Sequence, residues 1–242
     1  MSETASCTAV PPGTWFQEIN GRLASATPQA IVRWAVETYG DTLTLATAFG
    51  AEGCCLLAMV AQIRDEIGMV PDIFNLDTGY QFAETLALRE RLQQRYGLAI
   101  RLVRAAETVP QLEARFAGPL YRADPEHCCY LRKVVPLHTA VQGFAAWMTA
   151  IRREQTPERA PTPVVGPDPR YPHLIKINPL ANWRKSQVWA YVNQHNVPIN
   201  PLHAQGYASI GCWPCTRPVV TGGDDRSGRW AGFAKRECGL HL

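Results

Sequence analysis

The sequence lacks several features that would place it in a specialised class of protein. No apolar run approaches the roughly 20 residues that a membrane-spanning helix needs, so no membrane partner is expected. The formal net charge is only +3 over 242 residues, which argues against bulk electrostatic binding of nucleic acid. Residues 1–14 lack the basic segment and apolar core of a signal peptide. There is also no internal repeat.

What remains is the composition of a globular protein with an unusual supply of cysteine. Hydrophobic residues make up 46% of the chain and charged residues 19%, enough to bury the core of one large domain with an appendage. The eight cysteines include two adjacent pairs, which is unlike the framework of a disulfide-stapled secreted protein. The sequence therefore predicts a protein of the reducing cytoplasm.

Four of the cysteines lie in two clusters, the pair Cys128-Cys129 and the run Gly211–Cys215, which contains Cys212 and Cys215. A soft metal or an iron–sulfur cluster needs several thiolates that converge on one place. Neighbouring side chains diverge by about 100° on a helix and point to opposite faces of a strand. An adjacent pair therefore suits two irons of a cluster better than one tetrahedral zinc ion.

Three other interpretations of these cysteines stay open at this point. The adjacent pair could be buried small hydrophobic residues. The Cys-x-x-Cys motif could be a redox dithiol, although such a motif usually opens a helix after a strand, and here it lies in a Gly- and Pro-rich run. All four thiols could hold structural zinc.

Strand and helix patterns alternate along most of the chain, which predicts an α/β fold with a parallel sheet covered on both faces. The predicted strands are 43–49, 70–76, 99–103, 144–151 and 173–177, and the predicted helices are 28–39, 54–66, 82–96, 109–116, one from about 128, and 183–194. In the last helix, Val188, Tyr191 and Val192 form the expected buried stripe. The Pro-rich segment Thr156–Pro172 is predicted to be an exposed loop or a mobile flap.

Two short loops follow neighbouring predicted strands, where ligands bind in an open parallel sheet. Thr47–Gly53 opens a helix, so its backbone N–H groups suit an anion. Asp77-Thr78-Gly79 ends the next strand. The simpler interpretations are a plain turn for the first loop and a helix cap for the second.

Several longer motifs resemble the assimilatory adenylyl-sulfate reductases, within the wider phosphoadenylyl-sulfate reductase family. The resemblance runs from about residue 42 to the C-terminus. It is carried by Cys128-Cys129-Tyr130-Leu131-Arg132-Lys133, by Asn200–His203, by Gly206–Arg217 with its Cys-Trp-Pro-Cys core, and by Glu237-Cys238-Gly239-Leu240-His241. Leu76–Gly79, Trp147–Thr149 and Arg152-Arg153 fit the same pattern.

This resemblance implies an adenine-nucleotide-hydrolase-like (PP-loop) fold with a mobile C-terminal tail. It also implies a [4Fe–4S] cluster on Cys128, Cys129, Cys212 and Cys215, and a nucleophile at Cys238 that forms an S-sulfonate. The expected reaction is the thiol-dependent reduction of adenylyl sulfate to sulfite and AMP, with thioredoxin or glutaredoxin as electron donor. Less expected alternatives are a reductase of the 3′-phosphorylated substrate and a nucleotide-activating enzyme of the same fold.

The resemblance further implies roles for individual residues. His241 and Lys133 would assist Cys238, and the predicted substrate contacts are Thr47, Gly50, Leu76, Asp77, Thr78, Gly79, Arg153, Arg159, Arg226 and Arg229. Relatives often carry serines in the first loop, whereas only Thr47 supplies a hydroxyl here.

The predicted organisation is an N-terminal extension (1–27), an α/β nucleotide- and cluster-binding domain (28–217) and a mobile catalytic tail (218–242) hinged near Gly222-Gly223. A homo-oligomer is compatible with the sequence.

Overall fold

The computed structural model describes residues 11–219 and 224–240. Its helices are α1 (Gly13–Leu23), α2 (Pro28–Tyr39), α3 (Ala51–Ile67), α4 (Ala83–Tyr96), α5 (Val109–Arg115), α6 (Leu120–Ala123), α7 (Pro125–Cys129), α8 (Val135–Val141) and α9 (Lys185–Gln194). Its strands are β1 (Leu43–Ala46), β2 (Asp72–Asp77), β3 (Arg101–Arg104), β4 (Ala146–Met148), β5 (Val165–Pro167) and β6 (Ile175–Ile177).

The strands of the described residues form one sheet in the order β3-β2-β1-β4-β6-β5. All neighbouring pairs are parallel except β5 with β6. The chain adds β2 and β3 on one side of β1 and then returns to place β4 on the other side. Strand order therefore reverses at β1, which is where an open α/β sheet binds ligands. The α/β prediction is confirmed.

Local sequence explains why the main helices begin and end where they do. Thr27 caps α2 by accepting a hydrogen bond from the backbone N–H of Ala30, and Pro28 occupies the first helical position. Gly40 ends the helix with φ of 49°. In α9 the predicted stripe of Val188, Tyr191 and Val192 is buried. The helical spacing of its apolar residues therefore predicts the buried face of α9 correctly.

Helix α3 lies in the centre of the core and is buried along most of its length. It packs against α2, α4 and α9. Cys54 and Cys55 are fully buried within it, and burial raises the pKa of the Cys55 thiol to about 12. These two cysteines are core residues.

The first strand is shorter than predicted. β1 ends at Ala46, because Phe49 adopts a left-handed backbone conformation (φ 58°) that no strand tolerates. The Phe49 side chain is nevertheless buried in the core. The hydrophobic run 43–49 thus combines a strand with a sharp turn, which places residues 47–50 at the edge of the sheet.

The prediction of an exposed loop or flap over Thr156–Pro172 is wrong. The segment contains a 3₁₀ turn (Pro157–Arg159) and then β5, which pairs antiparallel with β6 at the edge of the sheet. Val164 and Val165 are buried in the main core. Proline is tolerated there because an edge strand needs hydrogen bonds on only one side.

Both ends of the described chain pack against the α/β domain. Helix α1, within the predicted N-terminal extension, buries Ile19 and Leu23 and contacts β5. Residues 224–240 fold back over the carboxyl edge of the sheet, and the predicted hinge at Gly222-Gly223 lies outside the described residues. Within the described ranges, no helix combines the length and the apolarity required to cross a bilayer.

Candidate active site

A cleft of about 270 Å³ lies at the carboxyl ends of β1, β2 and β4. Each strand delivers one buried threonine to it, namely Thr47, Thr78 and Thr149. The other predicted substrate contacts that line the cleft are Gly50, Leu76, Arg159, Arg226 and Arg229, together with Lys133 and Cys238. The switch point of the sheet therefore brings together residues that are up to 191 positions apart in the sequence.

The first loop presents backbone N–H groups to this cleft. The Thr47 hydroxyl accepts a hydrogen bond from Phe49 N (3.1 Å), and Asn75 Nδ2 donates to the carbonyl of Thr47 (2.7 Å). Gly50 precedes α3, and no side chain caps the helix. The first-turn N–H groups are thus available to a ligand, where the helix dipole favours an anion.

In the second loop only some of the predicted residues face the cleft. Leu76 and Thr78 line it, but Asp77 turns away and accepts hydrogen bonds from Gly79 N (3.0 Å) and Arg104 Nε (2.9 Å). Gly79 has φ of 74° and packs against the side chain of Val109. Asp77 and Gly79 therefore shape the loop and do not line the cleft.

The two arginines that follow β4, Arg152 and Arg153, also point in different directions. Arg153 is exposed and donates to the carbonyl of Thr162 (2.7 Å) and to Asn182 Oδ1 (2.5 Å), so it lies outside the cleft. Its neighbour Arg152 is buried, lines the cleft and forms an ion pair with Glu52 (2.8 Å). The sequence predicts Arg153 at the cleft, whereas the structure places Arg152 there.

The four clustered cysteines line one small cavity beside the cleft. Cys128 and Cys129 end α7 and are buried, and Cys212 and Cys215 flank a 3₁₀ turn. Cys212 also lines the cleft, where its sulfur lies 3.3 Å from the Thr78 hydroxyl. The structure therefore unites the two cysteine clusters, which are more than 80 residues apart in the sequence.

The thiols are close enough to influence one another electrostatically. Burial, then the neighbouring Cys129, Cys212 and Cys215, raise the pKa of Cys128 to about 12, and burial is the main cause of a pKa of about 11 at Cys215. In residues 11–219 and 224–240, no three Cys, His, Asp or Glu side chains converge in a way that would hold a single metal ion. The four thiols therefore line one cavity without forming, among the described residues, a ready-made site for a single metal ion.

The C-terminal segment, residues 224–240, runs back beside the loop that contains Cys212 and Cys215. Trp230 N donates to the carbonyl of Cys215 (3.0 Å), and Arg217 N donates to the carbonyl of Gly228 (2.8 Å). Thr216 and Arg229 form an isolated antiparallel bridge. These backbone contacts carry the chain from the cysteine cavity back to the cleft, so that Cys238 lies at the cleft wall.

Four cationic side chains surround the buried ring of Trp230 at 4.5 to 6.0 Å from its centroid: Lys133, Arg226, Arg229 and Lys235. An aromatic face attracts cations, and so it offsets part of their mutual repulsion. Within the described part of the chain, the Nε groups of Arg226 and Arg229 are buried without a hydrogen-bond partner. Since buried donors are usually satisfied, these two arginines are prepared for an anionic ligand.

Gly211 makes room for one of these arginines. A Cβ atom at this position would collide with the guanidinium group of Arg229. The glycine before the Cys-x-x-Cys motif is therefore needed for a close approach between the cysteine loop and the tail, in addition to any role in the turn itself.

The electrostatic surroundings of Cys238 favour its thiolate. Burial raises the pKa of this thiol, but Lys133, the backbone N–H of Leu240 and Arg229 outweigh burial and hold the pKa below its ordinary value. Burial alone would lower the pKa of Lys133, yet the thiols of Cys212, Cys129 and Cys238 keep it above its usual range. Lys133 is thus a permanent cation between the cysteine cavity and the cleft.

Alkylation of Cys238 is expected to depend on pH with a midpoint below that of an ordinary thiol. The thiolate is the reactive form, so reactivity is lost as the pH falls through the lowered pKa. Lys133→Met removes the largest favourable charge and is expected to move the midpoint to higher pH. Iodoacetamide labelling of the C-terminal tryptic peptide measures both rates across neutral and alkaline pH. Identical midpoints in the two proteins would contradict this electrostatic account.

Comparison with known proteins agrees with this fold. Residues 42–218 match the model of the phosphoadenosine phosphosulfate reductase domain. A phosphoadenosine 5′-phosphosulfate reductase of Gloeobacter violaceus is 46% identical over 88% of each chain, and an adenosine 5′-phosphosulfate reductase of Bacillus pumilus is 41% identical over 88% of this chain and 89% of the relative. The crystal structure of a phosphoadenylyl-sulfate reductase from Candida auris superposes with a TM-score of 0.76 at 28% identity, covering 87% of this chain and all of that one.

The fold and site thus define an α/β oxidoreductase. Its C-terminal segment carries Cys238 and lies over a cleft of the kind that binds nucleotides. The chain belongs to the phosphoadenosine phosphosulfate reductase family, as its motifs predict. Sequence reasoning missed the cleft residue Arg152, the ring of Trp230 and the buried carboxylate of Glu237. His241, which was predicted to assist catalysis, lies outside the described residues.

Proposed function

We propose that this protein reduces adenylyl sulfate to sulfite and AMP in assimilatory sulfate reduction, with a thioredoxin or glutaredoxin dithiol as electron donor. The observation that carries the proposal is the position of Cys238 at the cleft wall, with Lys133 and Arg229 lowering its pKa. A sulfur nucleophile beside cations suits a substrate that carries a sulfuryl group on a nucleotide phosphate.

In the first step, the Cys238 thiolate attacks the sulfur atom of the sulfuryl group. A bond forms between Cys238 Sγ and that sulfur, and the bond from sulfur to the phosphate oxygen breaks, so that AMP leaves with the electron pair. Lys133, Arg226 and Arg229 neutralise the charge that develops on the transferring group and on the leaving phosphate. The unpartnered Nε groups of both arginines supply donors for this purpose.

In the second step, a thiolate of the donor attacks Cys238 Sγ. The bond between the two sulfur atoms of the S-sulfonate breaks, sulfite leaves with the electron pair, and a mixed disulfide remains. The second donor thiol then attacks that disulfide and releases Cys238. The donor dithiol is oxidised to a disulfide, and it supplies both of the electrons that appear in sulfite.

The cavity formed by the four cysteines suits a [4Fe–4S] cluster. The donor set is four thiols that line one cavity, and cysteine thiolates are the usual ligands of such clusters. Cys128, Cys129, Cys212 and Cys215 would hold the cluster. When bound, it would supply a fixed charge distribution beside Lys133 that supports substrate binding. The chain itself positions Lys133 between that cavity and Cys238.

The nucleotide would occupy the remainder of the cleft. Leu76 provides an apolar surface for the adenine ring, and the open first turn of α3 provides N–H donors for phosphate oxygens. Arg152 is already paired with Glu52, so it contributes shape more than free charge.

Adenylyl sulfate is expected to be preferred over its 3′-phosphorylated form by at least tenfold in kcat/KM, on the order of the discrimination that a few differential contacts supply. The reason is that the four cluster cysteines accompany this preference among relatives that the sequence resembles. The measurement is sulfite release at a fixed donor concentration with each nucleotide in turn. One relative at 46% identity is named as a phosphoadenosine 5′-phosphosulfate reductase. A measured preference for the 3′-phosphorylated nucleotide would therefore contradict the proposed substrate and favour this alternative.

A further inference from the structure

Glu237, which immediately precedes the proposed nucleophile, is a buried carboxylate in a dense set of hydrogen bonds. Arg159 donates to both of its oxygens, from Nε at 2.8 Å and from Nη2 at 2.7 Å. Arg226 Nη2 lies 3.3 Å from the second oxygen, and the Thr156 hydroxyl lies 3.4 Å from the first. The Glu237 side chain is only 3% exposed.

The bidentate pair joins two parts of the chain that are 78 residues apart. Arg159 ends the 3₁₀ turn after β4, and its Nη1 donates to Gln155 Oε1 (2.5 Å). Gln155 in turn donates to Glu52 in the first turn of α3 (3.1 Å). A continuous polar network therefore runs from the tail to the loop that is proposed to bind phosphate. Fork-to-fork geometry of this kind fixes orientation as well as distance.

Arg159 differs from Arg226 and Arg229 in how its guanidinium group is hydrogen-bonded. Each of its three guanidinium nitrogens already has a protein acceptor. Arg226 and Arg229, by contrast, keep a buried Nε without a partner among the described residues. The sequence predicts Arg159 as a substrate contact, but its Nε and Nη2 are engaged with Glu237 of the tail and its Nη1 with Gln155.

A second anchor lies on the other side of Cys238. Arg170 Nη2 donates to the carbonyl of Gly239 (2.8 Å), and Leu240 packs against an apolar cluster that includes Phe74 and Trp147. The nucleophile is thus held between an ion pair at residue 237 and a hydrogen bond with apolar packing at residues 239–240.

We propose that Glu237 is a positioning residue whose ion pair with Arg159 holds Cys238 in the cleft, and that Arg159 serves the tail and not the substrate. The proposal rests on the function proposed above, since it concerns the same nucleophile. Breaking a buried pair by removing one partner leaves an uncompensated charge, so loss of the Glu237 carboxylate shifts the tail away from the docked arrangement.

The test uses the full-length protein with Glu237→Gln, which keeps the shape of the side chain and removes its charge. Glu158→Gln is the matched control, because Glu158 is an exposed carboxylate beside Arg159. Labelling of Cys238 by iodoacetamide is followed by mass spectrometry of the tryptic peptide 237–242. It is carried out at alkaline pH, where the thiol is ionised in every variant, because the Glu237 charge also raises the pKa of Cys238. The expected result is labelling faster by on the order of tenfold in Glu237→Gln and unchanged labelling in the control.

Turnover with adenylyl sulfate provides a second readout. A positioning role predicts that kcat falls by on the order of tenfold in Glu237→Gln while KM stays within about twofold, because the carboxylate does not bind substrate. Unchanged labelling of Cys238 would overturn the proposal, and so would a loss confined to KM. The labelling experiment needs no substrate, so it tests the ion pair even if the wild-type protein fails to reduce adenylyl sulfate. That failure would contradict the proposed function alone.

A charge exchange tests the assignment of Arg159 directly. Arg159→Glu and Glu237→Arg are each expected to expose Cys238, and the double variant is expected to recover part of the protection by reversing the pair. If Arg159 bound the substrate instead, the double variant would show no recovery of protection and no recovery of kcat.

Discussion

Cys238→Ser is expected to lower turnover with adenylyl sulfate by roughly 10³-fold or more, because the serine hydroxyl is a far weaker nucleophile than a thiolate. The substitution replaces one polarisable sulfur atom with oxygen and leaves the cleft otherwise intact. Cys238 is only half-buried, so the fold is expected to tolerate the change. Binding of AMP and the absorbance of the iron–sulfur centre are therefore expected to persist in the variant.

The covalent intermediate gives this prediction a direct measurement. Wild-type protein mixed with adenylyl sulfate in the absence of reductant is expected to release AMP once per chain and to carry a sulfonate on the tryptic peptide 237–242. Cys55→Ala is the control, since Cys55 is a buried thiol of α3 that lines neither the cleft nor the cysteine cavity. Sulfite release by Cys238→Ser, or a sulfonate on Cys212 or Cys215, would disprove the proposed mechanism.

Cys215→Ser is expected to abolish binding of the proposed [4Fe–4S] cluster and to destabilise the loop that would surround it. The wild-type protein purified without oxygen should be brown and contain iron and acid-labile sulfide equivalent to one [4Fe–4S] cluster per chain. Binding of a metal centre contributes folding free energy when the side chains that hold it lie on irregular chain. The helical structure of residues 206–219 is limited to a short 3₁₀ turn. The stability of this region is therefore expected to depend on the bound cluster more than the stability of α7 does.

The consequences of losing Cys215 are expected to reach the tail. The carbonyl of Cys215 accepts the hydrogen bond from Trp230 N, and Trp230 is the ring around which the cations gather. Iron analysis, thermal unfolding and Cys238 labelling measure the three effects separately. Cys55→Ala again serves as the control and should retain its iron. Stoichiometric zinc without visible absorbance in the wild-type protein would refute the cluster assignment.

Most of the fold was predictable because its signals are local. Thr27, Pro28 and Gly40 mark both ends of α2, and the alternation of strands and helices fixes the class of sheet. Errors occurred where a local pattern was ambiguous. Phe49 reads as the end of a strand, but its backbone turns to a positive φ, and the prolines of 156–172 conceal an edge strand.

Site residues were predictable as members of motifs and less so as individuals. Among neighbours in one motif, Thr78 faces the cleft and Asp77 does not, and Arg152 replaces Arg153. Adjacent side chains point in different directions, so a motif identifies a short segment without deciding which of its members reaches the ligand. Only the path of the backbone settles that choice.

The sequence by itself determined the family and the α/β class, because chemistry-bearing residue types and hydrophobic periodicity occur in short stretches of chain. The tertiary structure alone decided that both cysteine clusters share one cavity and that four cations gather around Trp230. It also revealed the pair of Glu237 with Arg159. The shared cysteine cavity, the approach of Lys133 to Trp230 and the Glu237–Arg159 pair each join residues tens of positions apart, and no local pattern encodes the distance between them once the chain is folded.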